Sequence, residues 1–141
     1  MFSQACKYGI RAVLYISENA SEEGKLGVKE VAETLQTPKH FLAKVLQQLS
    51  KHDLIVSAKG PGGGFFLRDD QKDNTLLEII HSIDGTDSLS GCILGLPVCS
   101  SENPCPLHVQ AMAYREGLSY QLRHQSIREM ATTVKRENIQ L

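Results

Sequence analysis

TPKHFLAKVLQQLSKHDLIVSAKGPGGGFFLR, residues 37–68, changes its periodicity partway along, and that change decides the fold. From Pro38 to His52 apolar side chains recur every three or four residues. Phe41, Leu42, Val45, Leu46 and Leu49 form one buried stripe of an amphipathic helix. Thr37 is expected to cap this helix, with Pro38 in its first position. The opposite face carries Lys39, His40, Ala43, Lys44, Gln47, Gln48 and Lys51, and no acidic residue occurs from Pro38 to His52. A merely solvated helix face usually mixes both signs. Leu54-Ile55-Val56 then reads as a strand, Lys59-Gly60-Pro61-Gly62-Gly63-Gly64 as a turn, and Phe65-Phe66-Leu67 as a second strand ending at Arg68. The glycines do not make a nucleotide-cradling loop, because no Lys-Ser/Thr follows them and no helix starts there.

On the N-terminal side, Ala5, Tyr8, Gly9, Ala12, Val13 and Ile16 predict a first helix, and Asn19 to Gly24 a loop. Val28, Val31, Ala32 and Leu35 share one face of a short second helix. Two short helices joined by a tight turn, the second exposing only basic and amide groups, predict a helix-turn-helix, and the hairpin that follows is its wing. Further on, Thr75 and Glu78 stand at capping-box spacing ahead of Leu76, Leu77, Ile79, Ile80 and Ile83, and Gly85 is expected to end that helix. A long helical pattern runs from Val109 to Val134 through Met112, Ala113, Leu118, Leu122, Ile127 and Met130, with Gly117 and Ser119 as its expected break. This stripe either packs back on the winged unit or meets another subunit. The polar tail from Lys135 to Leu141 is expected to fray.

Between these helical patterns lie Cys92, Cys99, Cys105 and His108, within seventeen residues rich in loop formers: Gly91, Gly95, Pro97, Ser100, Ser101, Asn103, Pro104 and Pro106. Thiolate and imidazole are soft or borderline metal ligands, and no other stretch concentrates them. Both an iron–sulfur cluster and a single zinc ion suit such a set, and a metal-free loop is the third possibility. Cys6 lies apart in the first helical pattern and reads as a small core residue. An enzyme reading would pair a cysteine nucleophile with His108 as base. Clustered thiols look instead like ligands, and no mixed acid–base constellation accompanies them.

The chain of 141 residues suits one domain with an extension. Its net charge of −1 conceals a partition. Residues 1–68 hold nine basic and six acidic side chains, residues 69–105 one and seven, and residues 106–141 five and three. The first part is suited to a polyanion and the middle is not. No apolar run approaches the roughly 20 residues a membrane helix needs. Lys7 and Arg11 interrupt the first apolar run, so neither a signal peptide nor a membrane contact is expected, and a cytoplasmic location follows as the default.

The succession of helix, helix-turn-helix, glycine wing, helix, cysteine loop and long helix resembles the IscR/NsrR/CymR-type winged-helix regulators, the Rrf2 family, over nearly the whole chain. The carrying motifs are Lys59-Gly60-Pro61-Gly62-Gly63-Gly64-Phe65 and the three-cysteine loop. The resemblance implies a dimeric transcriptional regulator of promoter DNA, not an enzyme, with an iron–sulfur cluster as redox sensor. His108 matches the histidine that the iron–sulfur-assembly subtype places just past its third cysteine. Two positions depart from the family pattern: Lys59 offers a point charge where Arg is frequent, and Tyr8 stands where some members have a carboxylate ligand.

The expected architecture is mainly α with a small β-hairpin wing, a winged helix-turn-helix plus a long C-terminal dimerisation helix. Residues 1–70 would form the DNA-binding domain, 71–108 the linking helix and cluster-binding loop, and 109–141 the dimerisation helix and tail. Double-stranded DNA would meet Thr37, Lys39, His40, Lys44 and Gln47 on the helix, and Lys59, Gly60, Gly62, Gly63 and Arg68 on the wing. Cys92, Cys99, Cys105 and His108 would hold the cluster, [2Fe–2S] in preference to [4Fe–4S]. The alternative is a metal-free or zinc-bound regulator controlled by a protein partner.

Overall fold

The computed structural model describes residues 1–141, and it is mainly helical with one antiparallel hairpin. Helix α1 (Gln4–Asn19) runs through the middle, with α2 (Val28–Thr34) and α3 (Lys39–Lys51) forming the helix-turn-helix. Strands β1 (Val56–Ala58) and β2 (Gly64–Phe66) make the wing, in the register Val56–Phe66, Ser57–Phe65 and Ala58–Gly64. Helix α4 (Leu76–Asp84) follows a short 3₁₀ turn, and after the cysteine loop come α5 (His108–His124) and α6 (Ile127–Arg136).

The core forms where α3, α4 and α6 press on α1. Cys6, Ala12, Val13 and Ile16 are fully buried on α1, as are Leu42, Leu46 and Leu49 on α3, Ile79 and Ile80 on α4, and Ile127 and Ala131 on α6. The α1 residues are mostly small, so its neighbours approach closely. A Cβ on Gly9 would lie 3.0 Å from Val45 Cγ1, and Ile83 of α4 occupies the same space. Ser3 caps α1 by accepting from the Cys6 N–H at 3.0 Å, and its own N–H donates to Asp84 Oδ2 at 2.8 Å, fastening the chain start to the end of α4.

The wing gains a third edge that the sequence pattern did not disclose. Leu26 pairs with Phe65 through two backbone hydrogen bonds of 3.0 and 2.8 Å. Gly64 makes this possible: its φ is +147°, and a Cβ there would sit 2.7 Å from the Leu26 carbonyl oxygen. Arg11 of α1 supports the helix-turn-helix from below, donating to the Leu35 carbonyl at 2.7 Å.

Four local expectations are corrected. Thr37 is no cap: α3 begins at Lys39, extended Pro38 precedes it, and the buried Thr37 Oγ1 has no hydrogen-bond partner. The turn is held by backbone instead, through Thr37 N–H to Ala32 O at 2.9 Å. Phe41 leaves the buried stripe and is 42% exposed, its ring edge-to-face with Tyr8 at 5.8 Å. The C-terminal pattern breaks at Gln125–Ser126 rather than at Gly117 or Ser119, because Ser126 and Glu129 form a capping box that starts α6. The tail turns back after Arg136, with Ile139 N–H donating to Val134 O at 2.9 Å and Leu141 packed against the core. By contrast, the capping box of Thr75 and Glu78 and the left-handed Gly85 at the end of α4 stand as expected.

Two glycine substitutions separate steric need from flexibility. Gly64→Ala is expected to cost about 2 kcal/mol, from a disfavoured backbone and a displaced Leu26 pairing. Gly117→Ala, in open space on α5, is expected to gain roughly 0.5–1 kcal/mol from helix propensity. Urea unfolding of both variants checks the opposite signs.

Candidate metal centre and nucleic-acid face

α3 presents Lys39, His40, Lys44, Gln47 and Lys51 to solvent, and its apolar stripe faces inward. None of Lys39, Lys44, Lys51 and, on the wing, Lys59 takes part in an ion pair. Gln48 and His52, on the flank of α3, turn instead to α4: Gln48 Nε2 donates to the Ser82 carbonyl, and His52 Nδ1 lies 2.5 Å from Ser82 Oγ. The helix is thus held at a fixed pitch against the core while its basic groups stay free.

At the wing, Gly60 and Gly62 adopt positive φ at the exposed tip, and half-buried Gly63 closes the turn through a 2.9 Å hydrogen bond to the Gly60 carbonyl. Lys59 flanks the tip and Arg68 sits at the base, in a different electrostatic state. Arg68 makes a forked pair with Asp53, both contacts 3.1 Å, and two more with Asp70 at 3.0 and 3.1 Å. Its guanidinium holds both carboxyls below the usual carboxylate range, through hydrogen bonds first. Gln71, fully buried, donates to the Asp53 carbonyl at 2.8 Å and accepts from the Arg68 N–H at 2.9 Å. This cluster clamps the end of α3 to the wing. Its contributors Asp53, Asp70 and Gln71 have no periodicity or motif, so nothing in the sequence singles them out.

The structure brings the three candidate cysteine ligands together and sets His108 against one of them. The sulfurs of Cys92, Cys99 and Cys105 all lie within 4.8 Å of one another, and Cys92 Sγ is 3.9 Å from Cys105 Sγ. His108 Nδ1 is 3.2 Å from Cys99 Sγ. All four residues are half-buried. The loop reaches this arrangement through tight turns: Gly95, at φ +68°, donates its N–H to Cys92 O at 2.9 Å, Ser100 and Asn103 exchange two backbone bonds of 3.2 Å, and His108 opens α5 by donating to Cys105 O at 3.0 Å.

The same turns direct backbone N–H groups at sulfur. The Cys92 thiol is pulled down to about 7, first by the Leu96 N–H and further by the Leu94 N–H, against the opposing effect of burial. At Cys99 the Cys105 N–H pulls down, but burial and the neighbouring Cys105 and Cys92 sulfurs outweigh it, and the thiol ends above its ordinary value. Amides aimed at sulfur stabilise the thiolate form that a metal requires. Three thiols close enough to share one centre therefore fit a metal ion or an iron–sulfur group, and the His108 imidazole touches one of them, Cys99. Cys6 takes no part: burial first, and then Asp84, pushes it up to about 12.

In reduced, metal-free protein the alkylation rate of Cys92 is expected to rise with a midpoint near pH 7, ahead of Cys99, with Cys6 labelled only after unfolding. Peptide mass mapping of iodoacetamide-treated samples across pH 6–9 checks this order.

Residues 2–133 match the family described as Rrf2, iron-dependent transcriptional regulator. A helix-turn-helix-type transcriptional regulator of Aquifex aeolicus is 34% identical over 110 residues, covering 77% of this chain and 75% of the relative. The regulator IscR of Escherichia coli is 28% identical over 102 residues, covering 72% of this chain and 62% of its own length. This chain thus spans less than two thirds of the IscR it matches. Among solved structures, CymR, the global cysteine regulator of B. subtilis, superposes with a TM-score of 0.73 at 21% identity, covering 94% of this chain and 97% of CymR. IscR of T. potens superposes with a TM-score of 0.69 at 19% identity, covering 99% and 91%. Fold, helix-turn-helix and cysteine loop converge with these similarities, and the chain belongs to the Rrf2 family of iron-dependent transcriptional regulators.

Proposed function

We propose that this regulator binds duplex DNA as a homodimer and that an iron–sulfur cluster held by Cys92, Cys99, Cys105 and His108 sets its affinity. The convergence of three sulfurs, one of them in contact with the His108 imidazole, in a chain that also carries a helix-turn-helix supports this reading. α3 would enter the major groove with His40, Lys44 and Gln47 toward base edges and Lys39 near phosphate. Thr37, being buried, would support the turn rather than touch DNA. The wing would bring the backbone of Gly60, Gly62 and Gly63 close to the duplex, with Lys59 on phosphate. Arg68, already held by two carboxylates, would brace the wing and contribute little net charge to the contact.

Residues 109–141 would supply the dimer contact. Val109, Met112 and Tyr120 stand exposed along one face of α5, which supports a second copy covering that face. Residues 1–70 would act as the reading head and 71–108 as the linking and sensing segment. No helix is long and apolar enough to cross a membrane, in keeping with work on cytoplasmic DNA.

The cluster would supply a redox-sensitive group whose loss or change of charge alters the packing of the loop that holds it. Of the two cluster types, [2Fe–2S] is the better match to a mixed thiolate–imidazole set, since histidine replaces thiolate in known [2Fe–2S] centres. A second reading, a single tetrahedral zinc, draws on one observation. Sulfurs bound to one zinc at about 2.3 Å lie roughly 3.8 Å apart, close to the Cys92–Cys105 separation of 3.9 Å.

Anaerobic purification decides between them. The cluster reading expects coloured protein with iron and acid-labile sulfide, and Cys99→Ser should abolish the colour; colourless protein with one zinc per chain would establish the second reading. For DNA, raising salt from about 50 to 200 mM is expected to weaken operator binding by about 10³ to 10⁵. Lys39→Ala, which removes one phosphate contact per subunit, should weaken it by about 1 kcal/mol or more and flatten the salt slope by about two. Fluorescence anisotropy on fragments selected from genomic DNA measures both, and salt-independent binding would remove the DNA reading.

A further inference from the structure

One helix grips the cysteine loop at two places. His108, the first residue of α5, meets Cys99 Sγ at 3.2 Å. Arg115 lies seven residues further along, two turns on and on the same face. Its guanidinium donates to the Ser90 carbonyl at 3.1 Å and to the Gly91 carbonyl, the two residues that lead into Cys92. Arg115 also lines one small cavity with Cys92 and Ile93.

Arg115, like Arg11, donates to main-chain carbonyl rather than to a carboxylate, but it holds two carbonyls where Arg11 holds one. Arg68, Arg128 and Arg136 each face a carboxylate, whereas half-buried Arg115 has no acidic partner and spends its contacts on two successive main-chain carbonyls. Both contacts come from one guanidinium nitrogen, Nη1, whose N–H directions are fixed by the planar group, a geometry that a freely rotating ammonium does not preset. The carbonyls it holds belong to a segment that otherwise has few anchors: Ser90 N–H bonds only back to Asp87 O, at 3.0 Å.

We propose that Arg115 is a positioning residue of the metal centre, fixing the segment that delivers Cys92 so that α5 alone sets the spacing of Cys92 from the Cys99–His108 pair. The proposal rests on reading the cysteine loop as a metal centre. Partners that orient ligands in this way are worth about 10- to 100-fold in metal affinity.

The test uses cobalt(II) as the probe on full-length, reduced, metal-free protein under anaerobic conditions. Thiolate-to-cobalt charge-transfer absorbance reports binding and the number of sulfurs bound. Arg115→Ala is expected to weaken cobalt binding by about 10- to 100-fold and to reduce the charge-transfer intensity, with Arg115→Lys in between. In a Cys92→Ser background Arg115→Ala should leave Kd unchanged, whereas in a Cys99→Ser background its full penalty should persist. Wild-type affinity in Arg115→Ala, or an equal loss in the Cys92→Ser background, overturns the proposal. Should Arg115→Ala fail to fold by circular dichroism, Arg115→Gln carries the same comparison. A wild-type chain that shows no cobalt binding overturns the metal-centre reading itself, and is told apart because no variant comparison is then reached.

Discussion

Everything in this fold depends on how closely three helices can approach α1. The fully buried face of α1 offers Cys6, Gly9, Ala12, Val13 and Ile16, side chains small enough for α3, α4 and α6 to share one helix as their floor. Interiors pack like organic crystals, so one oversized group on that face would displace three elements together. The burial of Cys6 follows from the same constraint. Its thiol serves as a small apolar filler beside Asp84 and is held protonated by its surroundings.

The helix-turn-helix and the wing share this core, and polar contacts add direction to their attachment. Arg11 reaches the turn of the helix-turn-helix, Gln48 and His52 reach Ser82, and Asp53, Arg68, Asp70 and Gln71 tie α3 to the wing. Arg128 at the start of α6 bonds Asp69 and Asp73 in the next segment, at 3.1 and 2.9 Å. Exposed ion pairs individually contribute about 0–1 kcal/mol. Their role is directional, setting angles between elements whose stability comes from elsewhere. The cysteine loop is the extreme case, since it contributes no residue to the main core and depends on α5 for its placement.

Much of the architecture was legible because it rests on periodicity and on residue types with narrow chemistry. The switch from a helical to a strand pattern after His52, the glycine run, and the Thr75–Glu78 capping box each have a local cause and a structural counterpart, with the strands shifted to Val56–Ala58 and Gly64–Phe66 so that Leu54, Ile55 and Leu67 lie just outside them. The proximity of Cys92, Cys99 and Cys105 was legible because few residue types bind soft metals and these three stand close in the chain. The failures share another cause. Ser126 and Glu129 obey the rule that located Thr75 and Glu78, but the apolar stripe continues across them and conceals the break. Phe41 fits the stripe by spacing, yet Tyr8 of another helix gives its ring a place at the surface. Arg68 and Arg115 are ordinary basic residues until distant backbone and carboxylates come near them, and no local pattern encodes that proximity.

The clamp on Arg68 has a consequence for how such a regulator changes over evolutionary time. With the wing-base cation neutralised by Asp53 and Asp70, general attraction to DNA would, on the proposed reading, fall largely to the lysines of α3, the helix that would also carry the discriminating side chains. Strength and selectivity then reside in the same few positions. A mutation that retunes which sequence is preferred also alters how tightly any sequence is held, so drift toward new promoters requires compensating changes, and the neighbourhood of Lys59 is where the fold leaves room for them.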